Sequence, residues 1–232
     1  MAALSETKNS VYEVEPVVMS NDAKIKGTKA PLPREYNFFM IMIGKPGSGK
    51  TTLWINLINK ANKQTFYQKF DHVFIFTNSF GTISQEINVP DEYVFNGLDK
   101  LGETIDLLSS IESKKSLIVI DDCMGDIKPT DPVFTKLIAN RRHIGGGVSI
   151  ILTTQVFNRI PLAFRKMASD LIFFSSSNKK EIDSVFTDYS SLTKYEFQNV
   201  IHYCFKGGIH EFLWLDVRTE KYYHNFNLIN FT

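Results

Sequence analysis

The sequence has few cysteines and no long apolar segment. Cys123 and Cys204 are its two cysteines in 232 residues, which excludes a disulfide-stapled scaffold and is typical of a reducing compartment. Apolar runs such as Phe38–Ile43 and Ser116–Ile120 are far shorter than the roughly 18 residues that a membrane helix needs. The amino terminus lacks a basic stretch followed by an apolar one, so no signal peptide is expected. These absences predict a soluble, intracellular protein without a membrane partner.

Net charge and zinc-ligand patterns are also lacking. With 26 basic and 25 acidic side chains, the net charge of +1 predicts no general attraction to nucleic acid or membrane. The five histidines and two cysteines show no zinc-ligand spacing. A hydrophobic fraction of 43% and a charged fraction of 22% exclude wholesale disorder and fibrous architectures. The length suits one sizeable core better than two domains.

Acidic residues are missing from one long stretch of the chain. Residues 132–169 contain no Asp or Glu, although six basic side chains fall there: Lys136, Arg141, Arg142, Arg159, Arg165 and Lys166. This segment is either a solvated face or a surface that meets phosphate, from a nucleotide on a neighbouring subunit or from a nucleic-acid backbone.

The hydrophobic pattern predicts an α/β fold with a mainly parallel central sheet and helices on both faces. Nearly continuous apolar runs are typical of strands covered on both sides. The strand candidates are Phe38–Ile43, His72–Thr77, Leu117–Asp121, Val148–Thr153 and Asp170–Ser175. Helix candidates between them begin at Lys50 and span Leu98–Ser113 and Asp131–His143.

The two ends of the chain differ from this pattern. Residues 1–35 contain few large apolar side chains and are expected to form an irregular amino-terminal arm outside the main core. The remaining 36–232 are expected to form one domain with an extension over 178–232. Within that extension, Ile209–Val217 and Tyr222–Phe226 flank a polar turn and predict a terminal β-hairpin.

A phosphate-binding loop follows the first strand candidate. Gly44-Lys45-Pro46-Gly47-Ser48-Gly49-Lys50-Thr51 matches G-x-x-x-x-G-K-[ST] between a buried strand and an amphipathic helix, which is the context that the motif requires. The glycines let backbone N–H groups face phosphate oxygens, and the helix amino terminus adds positive charge. Lys50 is predicted to contact the β- and γ-phosphates, Thr51 to bind Mg²⁺, and Thr52 to complete the nucleotide site.

Two carboxylates end the strand candidate Leu117–Asp121. Asp121 is predicted to join the Mg²⁺ shell at the carboxyl edge of the sheet, where α/β proteins bind ligands. Asp122 is a candidate general base for the attacking water. The alternative is that Asp122 only begins the turn towards Gly125.

The next strand candidate has a polar end, and arginines precede it. Gln155 is predicted to contact the γ-phosphate or the attacking water. Arg141 and Arg142 are candidates for an arginine finger supplied to a neighbouring subunit, with Arg165 as a third. The alternative is that they are helix-terminal cations that complement the dipole.

Two other functions share parts of this pattern. Asp122-Cys123-Met124-Gly125 fits the D-x-x-G of a GTP-regulated switch, and Asn178-Lys179-Lys180-Glu181 approximates N-K-x-D. A P-loop small-molecule kinase would need an arginine-bearing lid and a second substrate pocket, and no segment marks either. Both remain open as alternatives.

The ordered set of motifs over about residues 36–175 resembles the FtsK–HerA superfamily of P-loop ATPases, and within it the poxvirus-type genome-packaging ATPases of large DNA viruses and virophages. The set is the phosphate loop, the strand that ends in Asp121 and Asp122, Arg141-Arg142-His143, and the strand that ends in Gln155. The resemblance implies a RecA/ASCE-like P-loop NTPase fold, with ATP and Mg²⁺ as cofactors. It also implies a homo-oligomeric ring, usually a hexamer, that moves double-stranded DNA into a capsid. Contact with a capsid or portal protein is implied too, in the host cytoplasm, a viral factory or the virion.

Overall fold

A computed structural model describes residues 24–59, 65–83, 85–111, 114–128 and 130–231. Its strands are β1 (Phe39–Ile43), β2 (His72–Thr77), β3 (Val94–Asn96), β4 (Ser116–Asp121), β5 (Val148–Thr154), β6 (Asp170–Phe174), β7 (Phe212–Asp216), β8 (Lys221–His224) and β9 (Asn227–Leu228). Its α-helices are α1 (Lys50–Asn59), α2 (Phe80–Ile83), α3 (Leu101–Ser110), α4 (Pro132–Asn140), α5 (Leu162–Arg165), α6 (Lys179–Tyr189) and α7 (Lys194–Cys204).

Within the described residues, the strands form one nine-stranded sheet in the order β3-β2-β4-β5-β1-β6-β7-β8-β9. All pairings among β1 to β6 are parallel, which confirms the predicted parallel core. The strand before the phosphate loop, β1, lies between β5 and β6, and β4 is the next strand beyond β5. Because parallel strands end at the same edge, the residues that follow β1, β4 and β5 are brought together there.

Helices cover both faces of the sheet, as predicted. In β1, Phe39, Ile41 and Ile43 join a core cluster that contains residues of α3, α4, α6 and α7. The alternate side chains of β1, Met40 and Met42, join a second cluster with the buried face of α1. Both sides of the strand are therefore apolar, which explains why its sequence is a continuous apolar run.

The predicted carboxy-terminal hairpin is confirmed, and it belongs to the main sheet. Strands β7 and β8 pair antiparallel, with Trp214 opposite Tyr223. Strand β7 also pairs antiparallel with β6, where Ile172 faces Trp214, and β9 adds to β8. The extension therefore continues the sheet on the β6 side of the phosphate loop.

The amino-terminal segment that the structure describes is more closely packed than expected. Lys24 and Glu35 form an antiparallel bridge, and the Ile25 amide donates to the Arg34 carbonyl at 2.7 Å. Ile25 and Leu32 are buried in the core cluster that α1 covers. The expectation that this part lies outside the core is wrong for residues 24–35, whereas residues 1–23 lie outside the described part. The domain boundary at residues 35 and 36 stays a prediction.

The short strand β3 was not predicted, because three residues carry too little pattern to be recognised. Within the described ranges, no helix is both long and apolar enough to cross a membrane.

Candidate active site

The phosphate loop connects β1 to α1 and packs closely against β6. Gly47 and Gly49 adopt φ values of +76° and +103°, a left-handed region that side chains with a Cβ rarely enter. At Gly44, a Cβ atom would lie 2.8 Å from the Cβ of Phe174 and would also clash with the Ser48 side chain. The glycines predicted for this loop are therefore required by its conformation and its packing.

The Lys50 side chain lies inside the curve of the loop. Its Nζ donates to the carbonyl oxygens of Gly44 at 2.6 Å and Lys45 at 3.1 Å. Burial lowers the pKa of Lys50, and the nearby charges of Asp122 and Asp121 act in the opposite direction. The cation is thus held where the loop would surround a phosphate.

Asp121, at the end of β4, is the centre of a buried hydrogen-bond cluster. Its carboxylate accepts from Thr51 Oγ1 at 3.2 and 3.3 Å, from Trp54 Nε1 at 2.9 Å, and from Thr153 Oγ1 at 2.8 Å. Burial raises the pKa of Asp121, and these three hydrogen bonds act to lower it. The structure therefore brings the two predicted Mg²⁺ ligands, Thr51 and Asp121, into direct contact.

The sequence patterns did not identify two members of this cluster, Trp54 and Thr153. Trp54 fits the apolar stripe of α1, and its indole N–H gives no signal of its own in the pattern. The pattern indicates only that Thr153 is a strand residue. In the structure, its hydroxyl also accepts a hydrogen bond from the Asp122 amide at 2.9 Å. The one available signal was that Thr153 stands at the polar carboxyl end of a strand candidate.

Asp122 and Gln155 face each other across the ends of β4 and β5. Gln155 Nε2 donates to Asp122 Oδ2 at 2.5 Å, and both residues are exposed. Asp122 has a φ of +54°, so the chain turns sharply directly after Asp121 and directs the two carboxylates differently. The structure thus brings the base candidate and the sensor candidate together at the predicted edge of the sheet.

Arg141 is placed differently from the prediction. Its guanidinium is buried and donates to the carbonyls of Asn37 at 2.9 Å, Ile138 at 2.7 Å and Met167 at 3.3 Å. Asn37 and Met167 precede β1 and β6, so Arg141 lies at the amino-terminal edge of the sheet, opposite the phosphate loop. The prediction of Arg141 as a finger is corrected, because its N–H groups bind the protein's own backbone.

The other two finger candidates differ from each other. Arg165 forms an ion pair with Asp188 at 2.7 Å, with both side chains largely buried, and its guanidinium lies 4.6 Å from the Phe157 ring centre. Arg165 is therefore held within its own subunit. Arg142, by contrast, is exposed on the surface, so it remains the finger candidate.

The residues of the guanine-recognition alternative have structural roles. Asn178 caps α6 by accepting the Lys180 amide at 3.1 Å. Glu181 is buried and accepts the Phe157 amide at 3.3 Å. Since this carboxylate binds the backbone that follows Gln155, it is not presented to a nucleobase.

A cavity of about 560 Å³ lies beside the phosphate loop. The loop residues Gly47 to Thr51 form one side, and Thr52 and Asn56 of α1 continue it. Phe174, His210 and Phe212, from β6 and β7 and the turn between α7 and β7, also line it. The volume is in the range of sites for small molecules and cofactors.

Comparison with solved structures identifies the fold as that of P-loop NTPases. The genome packaging NTPase B204 from Sulfolobus turreted icosahedral virus 2, in complex with sulfate, aligns with a TM-score of 0.58 at 16% identity, covering 84% of this chain and 98% of that one. Its complex with ATP-gammaS aligns with a TM-score of 0.56 at 16% identity, over 83% and 98% of the two chains. The cytoplasmic domain of the Type VII secretion ATPase EccC from Thermomonospora curvata aligns with a TM-score of 0.53 at 13% identity, over 86% and 25%.

The chain belongs to the Poxvirus A32 protein family, whose profile matches residues 29–204. This confirms the resemblance to the poxvirus-type packaging ATPases. Uncharacterized protein 015R of Frog virus 3 (isolate Goorha) is 25% identical over 195 residues, which cover 78% of this chain and 54% of that protein. The chain therefore spans about half the length of this curated relative.

Proposed function

We propose that this protein is a Mg²⁺-dependent ATPase that works as a homo-oligomeric, hexameric ring and moves double-stranded DNA into a viral capsid. The observation that carries the proposal is the meeting of Lys50, Thr51, Asp121, Asp122 and Gln155 at one edge of the sheet. The family membership and the fold of the B204 packaging NTPase support the choice of DNA packaging over other nucleotide hydrolysis.

The donor set fits Mg²⁺, because Thr51 Oγ1 and Asp121 Oδ2 lie 3.2 Å apart and both supply hard oxygen ligands. When bound there, Mg²⁺ would neutralise charge on the β- and γ-phosphates. Trp54 and Thr153 hold the Asp121 carboxylate in place. Lys50 would exchange its two backbone carbonyls for phosphate oxygens.

Asp122 and Gln155 are proposed to act on the attacking water. The Asp122 carboxylate would accept its proton, and the Gln155 amide would orient it or contact the γ-phosphate. Their direct contact at 2.5 Å supports this pairing, since one water bound beside the pair would be within reach of both groups. The amide Nε2 keeps Asp122 Oδ2 in a defined position.

A neighbouring subunit is proposed to supply Arg142 to the γ-phosphate. Arg142 is exposed, and it lies in the acid-free stretch of residues 132–169. An arginine supplied in trans accelerates phosphoryl transfer by roughly 10³–10⁵-fold. The remaining exposed cations of this stretch are candidates for contact with the DNA backbone, and a capsid or portal protein would complete the assembly in the host cytoplasm, a viral factory or the virion.

The test is an ATPase assay on mixed oligomers. Arg142→Ala and Lys50→Ala subunits should each be inactive, whereas their mixture should regain activity, since intact sites form between unlike subunits. Lys136→Ala is the matched control, because Lys136 is an exposed cation of the same acid-free stretch. It forms a surface ion pair with Asp106 at 3.0 Å. Without DNA, this control should keep wild-type ATP turnover.

Double-stranded DNA should stimulate hydrolysis by the wild-type oligomer. A stable monomer that binds nucleotide without any stimulation by DNA would contradict the motor. Clear preference for GTP over ATP would favour the switch instead. Transfer of phosphate to a nucleoside or small metabolite would favour a kinase.

A further inference from the structure

Aromatic side chains line part of the cavity beside the phosphate loop. Phe174 ends β6 and Phe212 begins β7, and their ring centres lie 5.2 Å apart. Both residues are largely buried, yet both contribute surface to the cavity beside the phosphate loop. An aromatic surface therefore lies next to the site proposed for the phosphates.

His210 joins this surface to the phosphate loop. Its Nδ1 lies 3.2 Å from the Ser48 carbonyl oxygen, and a carbonyl can only accept, so Nδ1 carries the hydrogen. The same ring borders Gly49, where a Cβ atom would lie 3.6 Å from His210 Nδ1 and 3.6 Å from Phe174 Cε1. The exposed imidazole thus lies beside the loop, and Phe174 approaches the same glycine.

We propose that His210, Phe174 and Phe212 form the base-binding wall of the site, against which the purine ring of the bound nucleotide packs. The proposal rests on the proposed function, because the phosphate loop must hold the triphosphate. A cavity of about 560 Å³ that joins the loop to this wall has room for a nucleoside beyond the phosphates. Aromatic rings bind any base through its π-face, so the wall favours purines by contact area.

The proposal predicts that base binding and phosphate binding are separable at His210. The wild-type protein should bind Mg·ATP at least about tenfold more tightly than Mg·tripolyphosphate, a difference of about 1.4 kcal/mol. His210→Ala should remove most of that preference and change tripolyphosphate binding less than about twofold. His210→Phe keeps an aromatic ring but loses the hydrogen bond to Ser48, and it should retain most of the preference.

The experiment is calorimetric titration of wild type and both variants with Mg·ATP and Mg·tripolyphosphate. His202→Ala is the matched control, because His202 is exposed on α7 and is not among the residues that line the cavity. Thermal unfolding of each variant checks that it is folded.

Each outcome of the titrations either supports or refutes the base-binding wall. Unchanged ATP affinity in His210→Ala would overturn the wall, and so would equal losses for both ligands, which would mean that His210 acts only through Ser48. A loss in His210→Phe as large as that in His210→Ala would also overturn it. Failure of the wild-type protein to bind either ligand would instead refute the proposed function, and the wall with it.

Discussion

Replacement of Arg141 by Ala separates a structural arginine from a catalytic one. The guanidinium joins three chain segments that are distant in sequence, through the carbonyls of Asn37, Ile138 and Met167. Truncation removes a buried cation together with all three hydrogen bonds. The three carbonyls then lose their partner at the amino-terminal edge of the sheet. We therefore expect a loss of folding stability without a specific loss of catalysis.

The size of the expected stability loss follows from these three hydrogen bonds. Hydrogen bonds to charged groups contribute about 1.5–3 kcal/mol each, and the 3.3 Å bond to Met167 is the weakest of the three. Desolvation offsets part of this gain, since burial lowers the pKa of Arg141 to about 10. We therefore expect Arg141→Ala to lower the free energy of unfolding by about 3 kcal/mol. For a chain of this size, that corresponds to a Tm lower by about 6–12 °C.

The assay measures thermal unfolding and ATP turnover in parallel for Arg141→Ala and Arg142→Ala. Arg142 is exposed, so its replacement should change Tm by less than about 2 °C while abolishing turnover. Arg141→Ala should show the reverse at a temperature where it is folded. An unchanged Tm together with lost turnover in Arg141→Ala would refute this reasoning and restore Arg141 as the finger.

Two further substitutions test the interior. Burial raises the pKa of Asp170 to about 7, while Trp214 Nε1 donates to its carboxylate at 3.3 Å. Because the folded state then holds a proton that the unfolded state releases near pH 4, stability should fall as pH rises from about 4 to 7, by up to about 4 kcal/mol. Asp170→Asn should remove that decline in urea unfolding, and parallel curves for the two proteins would contradict the assignment. Gly44→Ala should weaken ATP binding more than tenfold, because its Cβ would meet Phe174, whereas Gly81→Ala, which meets nothing within 4 Å, should bind normally.

The sequence predicted the parts of the fold that depend on local pattern. The strands around Ile41, Ile118 and Ile150 are buried on both faces, and such strands appear as unbroken apolar runs. The phosphate loop and Asp121 were predictable for the same reason. The loop directly follows one recognisable strand and Asp121 ends another, and parallel strands end at the same edge.

Other features depend on contacts between distant segments, which no local pattern encodes. The Arg141 side chain is buried because it binds the backbone carbonyls of Asn37 and Met167, which lie 104 and 26 positions away in the sequence. The burial of Ile25 and Leu32 depends on the same core that α1 covers, and two separate apolar residues give no periodic signal. His210 follows two glycines in a segment without a motif. Its contact with Ser48 joins positions 162 residues apart.

That long separation has a consequence for the order in which the protein is made. The phosphate loop and Asp121 are synthesised before Phe212 and the turn that carries His210. Roughly 160 residues separate Thr51 from His210, so at about 5–20 residues per second the ribosome needs about 8–32 s to cover the interval. A nascent chain therefore carries its phosphate-binding residues well before the aromatic lining of the cavity exists. Complete nucleotide binding would then report that β7 has joined the sheet.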